Sequence, residues 1–322
     1  MYIITKAEIQ KKFDFSLAVS QIKNAFVSSS NGGANIALVG HIPFPNENGD
    51  CHIKSGHILG EPFFVIKIAT GFYDNPKIGK SSSNGVMVAF DSSNGEPIAL
   101  LQDEGWLTDM RTGIGGAIAT EVLAPKGAKN VLVIGTGIQS RFQIECLQKI
   151  TEVDYTFHVW GRSEKKAAEL CDELSKKDIA VGYVLNIERA VGDADIIITT
   201  TQAMKFIVKD DWVSKATHIT AVGADSPGKE ELELSLIERA NCLVSDLASQ
   251  SLEHGEFQRL KTAGLKIRPV ELGDILDRKA LGRKKEEDIT IADLTGLATQ
   301  DIAIAGTILL GDKHKDNNNA ES

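Results

Sequence analysis

The chain has 322 residues, 42% of them hydrophobic and 25% charged, with 35 basic against 44 acidic side chains and a formal net charge of −9. This length exceeds what one core usually fills, so two domains are expected. No apolar run reaches the ~18–20 residues of a membrane span, and an acidic balance without a clustered basic face excludes a nucleic-acid partner in favour of small molecules.

Apolar positions at helical spacing (Ile9, Phe13, Leu17, Ile22, Phe26) predict one helix over residues 6–28, ended by the cluster SSSNGGAN. The N-terminal stretch MYIITKAEIQKKFDFSLAV shows no basic segment followed by an apolar stretch and small-residue cleavage site, so a cytoplasmic protein is expected. From about residue 35 to 102, short alternating runs around Ala34–Val39 and in CHIKSGHI, FFVIKIAT, VMVAFD and PIALLQ are separated by Gly, Asn and Pro turns. That pattern predicts an antiparallel sheet. WLTDMRTGIGGAIATEVLA reads as a long helix rich in small residues, punctuated by Pro125-Lys126-Gly127.

Strand and helix then alternate: NVLVIG, a helix over 140–150, YTFHVWG, a helix over 164–175, IAVGYV, a short helix, DIIITT, THITAVG and CLVSD. Such alternation predicts a Rossmann-type, doubly wound parallel sheet. ITIADLTGLATQDIAIAGTILL adds a strand, a glycine turn and a helix, after which the polar GDKHKDNNNAES is expected to fray. The fold class is therefore α/β, with the parallel-sheet domain over 125–302 and a smaller α+β domain over 1–124 plus about 303–322. Cys51, Cys146, Cys171 and Cys242 are far apart in no CxxC pair and are expected as reduced thiols. The seven histidines show no metal-ligand spacing along the chain, so no metal is expected.

The strongest local signal is NVLVIGTGIQSRFQIECL: a strand, then Gly135-Thr136-Gly137-Ile138-Gln139-Ser140, then an amphipathic helix. Gly135 permits the tight turn, Gly137 lets the backbone approach a pyrophosphate, and the N–H groups from Ile138 and Gln139 onward face that anion at the helix start. Ser140 departs from the pattern, standing where the third small residue belongs. A glycine turn that merely packs a helix on a sheet is the alternative. At the end of the next strand, where an acidic residue would bind the ribose of NAD, the chain has Arg162 and Ser163 with Lys165 and Lys166 behind. A basic group and a hydroxyl there suit a 2′-phosphate, so NADPH is expected over NADH; Arg162 as a solvated residue at a helix start is the alternative.

VIKIATGFYDNP, SSSNG, LTDMRTG, IGTGIQSR, VGADSPGKEEL and TGLATQDIA occur in order over roughly residues 40–305, and together they resemble the ornithine cyclodeaminase/μ-crystallin family. The resemblance implies that Lys67 and Arg111 bind a substrate carboxylate and that Asp225 is the acid/base carboxylate. The plainer readings are a snorkelling lysine, a helix-surface arginine and an Asx-turn before Pro227. It further implies cofactor contacts at or near Ser82, Thr112, Gln139, Thr199, Lys229 and Thr295, and a homodimer formed through the early sheet of the substrate-binding domain. Cyclodeaminases of the family carry another arginine in that sheet, whereas this chain has none before Arg111; His52 or Lys54 in CHIKSG is the expected replacement. The implied activity is NAD(P)H-dependent reduction of a cyclic imino acid, foremost Δ1-pyrroline-2-carboxylate to proline. A redox-neutral ornithine cyclodeaminase and a nucleotide-dependent binding protein remain the alternatives.

Overall fold

In the computed structural model, which describes residues 1–310, the chain begins with β1 (Tyr2–Thr5), α1 (Lys6–Lys12), α2 (Phe15–Ser30), β2 (Ala34–Ile36), β3 (Gly40–Phe44), β4 (Gly49–Ile58), β5 (Phe63–Phe72), β6 (Ser83–Asp91), β7 (Pro97–Gln102) and α3 (Trp106–Leu123). It continues with β8 (Asn130–Ile134), α4 (Ile138–Ile150), β9 (Thr156–Trp160), α5 (Glu164–Ser175), β10 (Val181–Tyr183), α6 (Ile187–Gly192), β11 (Ile196–Thr199), β12 (Met204–Val208), β13 (His218–Ala221) and β14 (Glu230–Leu232). The remainder is α7 (Leu234–Arg239), β15 (Cys242–Ser245), α8 (Ala248–His254), α9 (Gln258–Thr262), β16 (Val270–Glu271), α10 (Leu272–Leu276), β17 (Thr290–Asp293) and α11 (Ala298–Leu309). The tail expected to fray lies outside the described residues, among which no helix is long and apolar enough to cross a membrane.

Among the described residues two compact units emerge, one of Met1–Arg111 together with the segment that starts at Leu297, the other Thr112–Gly296. The divisions thus fall at 111/112 and 296/297, against 124/125 and 302/303 expected from punctuation. Pro125-Lys126-Gly127 marks where α3 ends, whereas the partition of contacts changes inside α3, after its first turn.

The first unit contains the sheet β1-β7-β6-β5-β4-β2, with β3 paired to β4. It is antiparallel except that β1 runs parallel to β7. Alternation along the strands buries Val65, Met87, Ala89, Ala99 and Leu101, which join Ile302, Ile304 and Ile308 of α11 in one core, while Ile66, Val86 and Val88 on the other face stay half-buried. The single helix expected over 6–28 is two. Phe13 is extended, and the Asp14 carboxylate accepts a hydrogen bond from the Leu17 N–H at 3.0 Å, so a fresh N-cap interrupts an apolar spacing that runs on undisturbed. β1 was not expected, because its four residues show no alternation of burial.

The second unit is built on an all-parallel sheet ordered β10-β9-β8-β11-β13-β17-β15-β16. Its near-continuous Val/Ile strands, buried on both faces, read as the sequence predicted. Glycines let α3 lie close to α4: a Cβ on Gly113 would meet the Phe142 carbonyl at 2.7 Å, and one on Gly116 the Gln143 side chain at 1.9 Å. All four cysteines are free, Cys242 half-buried and the others buried, and burial pushes each thiol above its ordinary range.

Candidate active site

In the first unit, strand register decides which charges meet. Lys54 on β4 stands directly opposite Lys67 on β5, both on the face covered by α11 and both buried. Like charges directly opposite are unfavourable unless an anion intervenes. Asp301 of α11 supplies one: its carboxylate receives Lys67 Nζ at 3.0 Å and Arg111 Nε at 3.1 Å, and Lys67 and Asp301 are each only 1% exposed. Gln300 accepts from Arg111 Nη1 at 3.5 Å. Burial, reinforced by Arg111 and opposed by Asp301, pushes Lys67 from the usual lysine range down to about 7. Within this trio two cations share one carboxylate, leaving one positive charge for a carboxylate ligand. Nearby, burial raises Asp103 to about 6, although its carboxylate accepts from the Leu107 N–H at 2.8 Å at the start of α3.

Asp301 is a site residue that the sequence reading missed. A carboxylate within DIAIAGTILL, an otherwise apolar helix, is the signal that marks it. His52, expected beside Lys54, faces His41 across the β3–β4 register and Asp50 on its own strand. Ser82 lies half-buried before β6, its carbonyl accepting from the Phe72 N–H at 2.9 Å.

In the second unit, β8 has β9 on one side and β11 on the other, so its C-terminal end is the point at which the winding of the sheet reverses direction. Gly135 to Gln139 occupy that end. Gly135 has φ +133°, and a Cβ there would meet Thr200 Oγ1 at 2.3 Å; no other residue fits without displacement. Gly137 is exposed, caps α4 and has nothing within 4 Å of where its Cβ would lie, leaving the N–H groups at the start of α4 open to a pyrophosphate. The departure at Ser140 is explained: this residue is fully buried and its Oγ lies 2.8 Å from Thr200 Oγ1, tying helix to strand. The loop therefore fits a dinucleotide. Arg162 is exposed just past β9, and the Ser163 hydroxyl accepts the Lys166 N–H at 3.4 Å as the cap of α5. The Thr112 carbonyl accepts from Gln143 Nε2 at 3.0 Å.

Asp225 lies in the turn beyond β13, one-third exposed, with Lys229 Nζ 2.7 Å from its Oδ1. Gln258 pins the turn by accepting the Gly228 N–H at 2.8 Å and donating to the Lys229 carbonyl at 3.1 Å. Beneath it, fully buried Glu231 gathers the Thr199 hydroxyl at 2.6 Å, the Thr201 N–H at 2.6 Å and the Gly223 N–H at 2.9 Å. Burial raises the Glu231 carboxyl and, with the help of Glu231's charge, raises Glu256 well above its ordinary range. The hydroxyls of Thr199 and Thr295 are thus directed inward, Thr295 donating to Asp246 at 2.9 Å. Glu231 is a second residue missed from sequence.

The family described as ornithine cyclodeaminase/mu-crystallin matches residues 1–316. The uncharacterized cyclodeaminase y4tK of Sinorhizobium fredii is 36% identical over 311 residues, 95% of this chain and 94% of that protein. Among solved structures, an archaeal alanine dehydrogenase dimer with bound NAD is 28% identical with a TM-score of 0.87, covering 98% of this chain and 97% of that one. The Δ1-pyrroline-2-carboxylate reductase of Thermococcus litoralis, in complex with NADH and L-proline, is 26% identical with a TM-score of 0.87, covering 96% of each chain.

Proposed function

This chain belongs to the ornithine cyclodeaminase/mu-crystallin family, and from that premise we propose that it reduces a cyclic imino acid with NADPH, Δ1-pyrroline-2-carboxylate to L-proline being the leading case. It is a nicotinamide-dependent oxidoreductase acting on C=N bonds. The observation that carries the finer reading is the buried trio Lys67, Asp301 and Arg111.

Lys67 and Arg111 hold the substrate carboxylate, Arg111 through its planar fork, and Asp301 fixes where both cations point. Lys54, opposite Lys67, takes the place of the arginine that this chain lacks before Arg111. Asp225, replenished through Lys229, delivers the proton to the imine nitrogen. A bound nicotinamide would supply the hydride for the imine carbon, and the residues named here would hold it. Gly135, Gly137 and the start of α4 orient the pyrophosphate, with Ile138, Gln139 and Thr112 beside it; Ser82, Thr199, Lys229 and Thr295 shape the remaining cofactor contacts. Arg162 and Ser163 hold a 2′-phosphate, which favours NADPH over NADH. The protein works in the cytoplasm as a homodimer formed through the outer face of the first unit's sheet, where Phe64 stacks on Phe90 at 5.0 Å beside half-buried Ile66, Val86 and Val88.

The test is nicotinamide absorbance against a panel of imino acids, and keto acids with ammonia. Stoichiometric NADPH consumption with Δ1-pyrroline-2-carboxylate is expected, with no ammonia released from L-ornithine and NAD+. Ammonia and proline appearing together from ornithine, without net change in absorbance, would replace this reading by a cyclodeaminase.

A further inference from the structure

The reduction proposed above leaves His41, Asp50 and His52 without an assigned role. We propose that these three side chains form a binding site for one Zn2+ ion, which staples strand β3 to β4. β3 pairs with β4 alone, and the register sets His41 directly opposite His52. Asp50 lies two residues before His52 on β4, so alternation puts all three on one face.

One ligand atom from each lies within 4.8 Å of the others, and the imidazoles of His41 and His52 approach to 4.8 Å between centroids. His52 Nε2 is 3.7 Å from Asp50 Oδ2. Zinc bonds of roughly 2.0–2.2 Å put tetrahedral ligand atoms about 3.3–3.5 Å apart, so the cluster closes on an ion by side-chain movements of about 1 Å.

The second observation is at His52 itself. Both of its ring nitrogens are buried and neither has a hydrogen-bond partner. Leaving such groups unsatisfied costs about 1–3 kcal/mol each, and coordination of Nε2 removes one of those costs. Asp50 is buried too, and Tyr73 donates its hydroxyl to Oδ2 at 3.1 Å, holding the carboxylate in place and leaving Oδ1 as well as the second lone pair of Oδ2 for an ion. Two imidazoles and one carboxylate suit zinc, with water completing the coordination. Lys54, two residues beyond His52 on the same face, repels a cation, so the affinity should fall in the micromolar range rather than that of a four-ligand structural site.

The experiment is isothermal titration of chelator-treated, full-length protein with ZnCl2, repeated with Co2+ while visible absorbance is followed. One ion per chain is expected in the wild type, with Co2+ bands of a tetrahedral nitrogen and oxygen set. His41 is exposed, so His41→Ala keeps the fold, and it should weaken Zn2+ by at least about tenfold and abolish the cobalt bands; His52→Ala should do the same. Zinc should also raise the melting temperature of the wild type and not that of His41→Ala. Absence of stoichiometric binding to the wild type would overturn the proposal. So would equal binding by His41→Ala, because the ion would then sit on other histidines.

Discussion

In the first unit the groups suited to an anion are side-chain cations, Lys67 and Arg111, buried and already paired with Asp301. In the second they are backbone N–H groups at the start of α4, laid open by Gly137 and held near β11 by Gly135. The first arrangement depends on charge taken out of water, so protonation and the shape of each side chain govern it. The second depends on the absence of side chains, so pH hardly touches it while a single methyl group does.

Asp225 belongs to neither arrangement and gives the largest effect. Asp225→Asn should cut kcat on the order of 10²-fold or more, as loss of a general acid does, while NADPH affinity measured by fluorescence titration stays near wild type. An unchanged kcat would leave the turn with Lys229 as an ordinary surface ion pair.

Arg111→Ala tests the side-chain site. Removing a charged hydrogen-bonding partner costs about 1.5–3 kcal/mol, so kcat/KM should fall by roughly 10–150-fold with NADPH affinity intact. Arg111→Lys should recover only part, because a point charge does not reproduce the fork. Gly135→Ala is its counterpart for the backbone site. At φ +133° and against Thr200, a strain of about 1–2 kcal/mol should weaken NADPH by about tenfold while substrate KM at saturating cofactor holds. If both variants moved substrate and cofactor parameters equally, the contrast between the two sites would fail.

The pH profile sharpens the same contrast. With Lys67 pushed down to about 7, the cation that binds carboxylate is lost as pH rises past 7, so kcat/KM should decline by up to about tenfold per pH unit while NADPH affinity stays level. Lys67→Arg should move the break to higher pH. The effect on stability has the opposite sign. Between about 7 and the ordinary 10.5 the unfolded chain binds more protons at this residue than the folded one, so its contribution to stability grows with pH across that window. Denaturant midpoints of wild type and Lys67→Met at pH 7 and 9 measure this directly. The smallest effect is at Arg162. Arg162→Ala should narrow the preference for NADPH over NADH by about tenfold, and equal kinetics with both cofactors in the wild type would remove the 2′-phosphate from the proposal.

Much of this was legible in the chain, because periodicity and glycine placement are local. The parallel sheet followed from short buried Val/Ile runs, and the nucleotide loop from strand, glycines and helix in sequence. What stayed hidden depends on neighbours remote in sequence. Asp301 reads as an oddity on an apolar helix until the fold sets it 3.0 Å from Lys67, 234 residues away. His41 and His52 show no metal spacing along the chain, since their proximity is created by the pairing of β3 with β4. The hydroxyls of Thr199 and Thr295 reach Glu231 and Asp246, carboxylates buried with them, and neither pairing can be read from the residues beside each threonine.

The state of the four cysteines has a practical consequence. With every thiol pushed upward by burial, little thiolate is present near neutral pH, and alkylating reagents or mild oxidants find slow partners throughout the protein. A cysteine introduced at exposed Lys165 on α5 would therefore take up a maleimide dye well before the native thiols, giving a fluorescent reporter close to Arg162 without first removing any native cysteine.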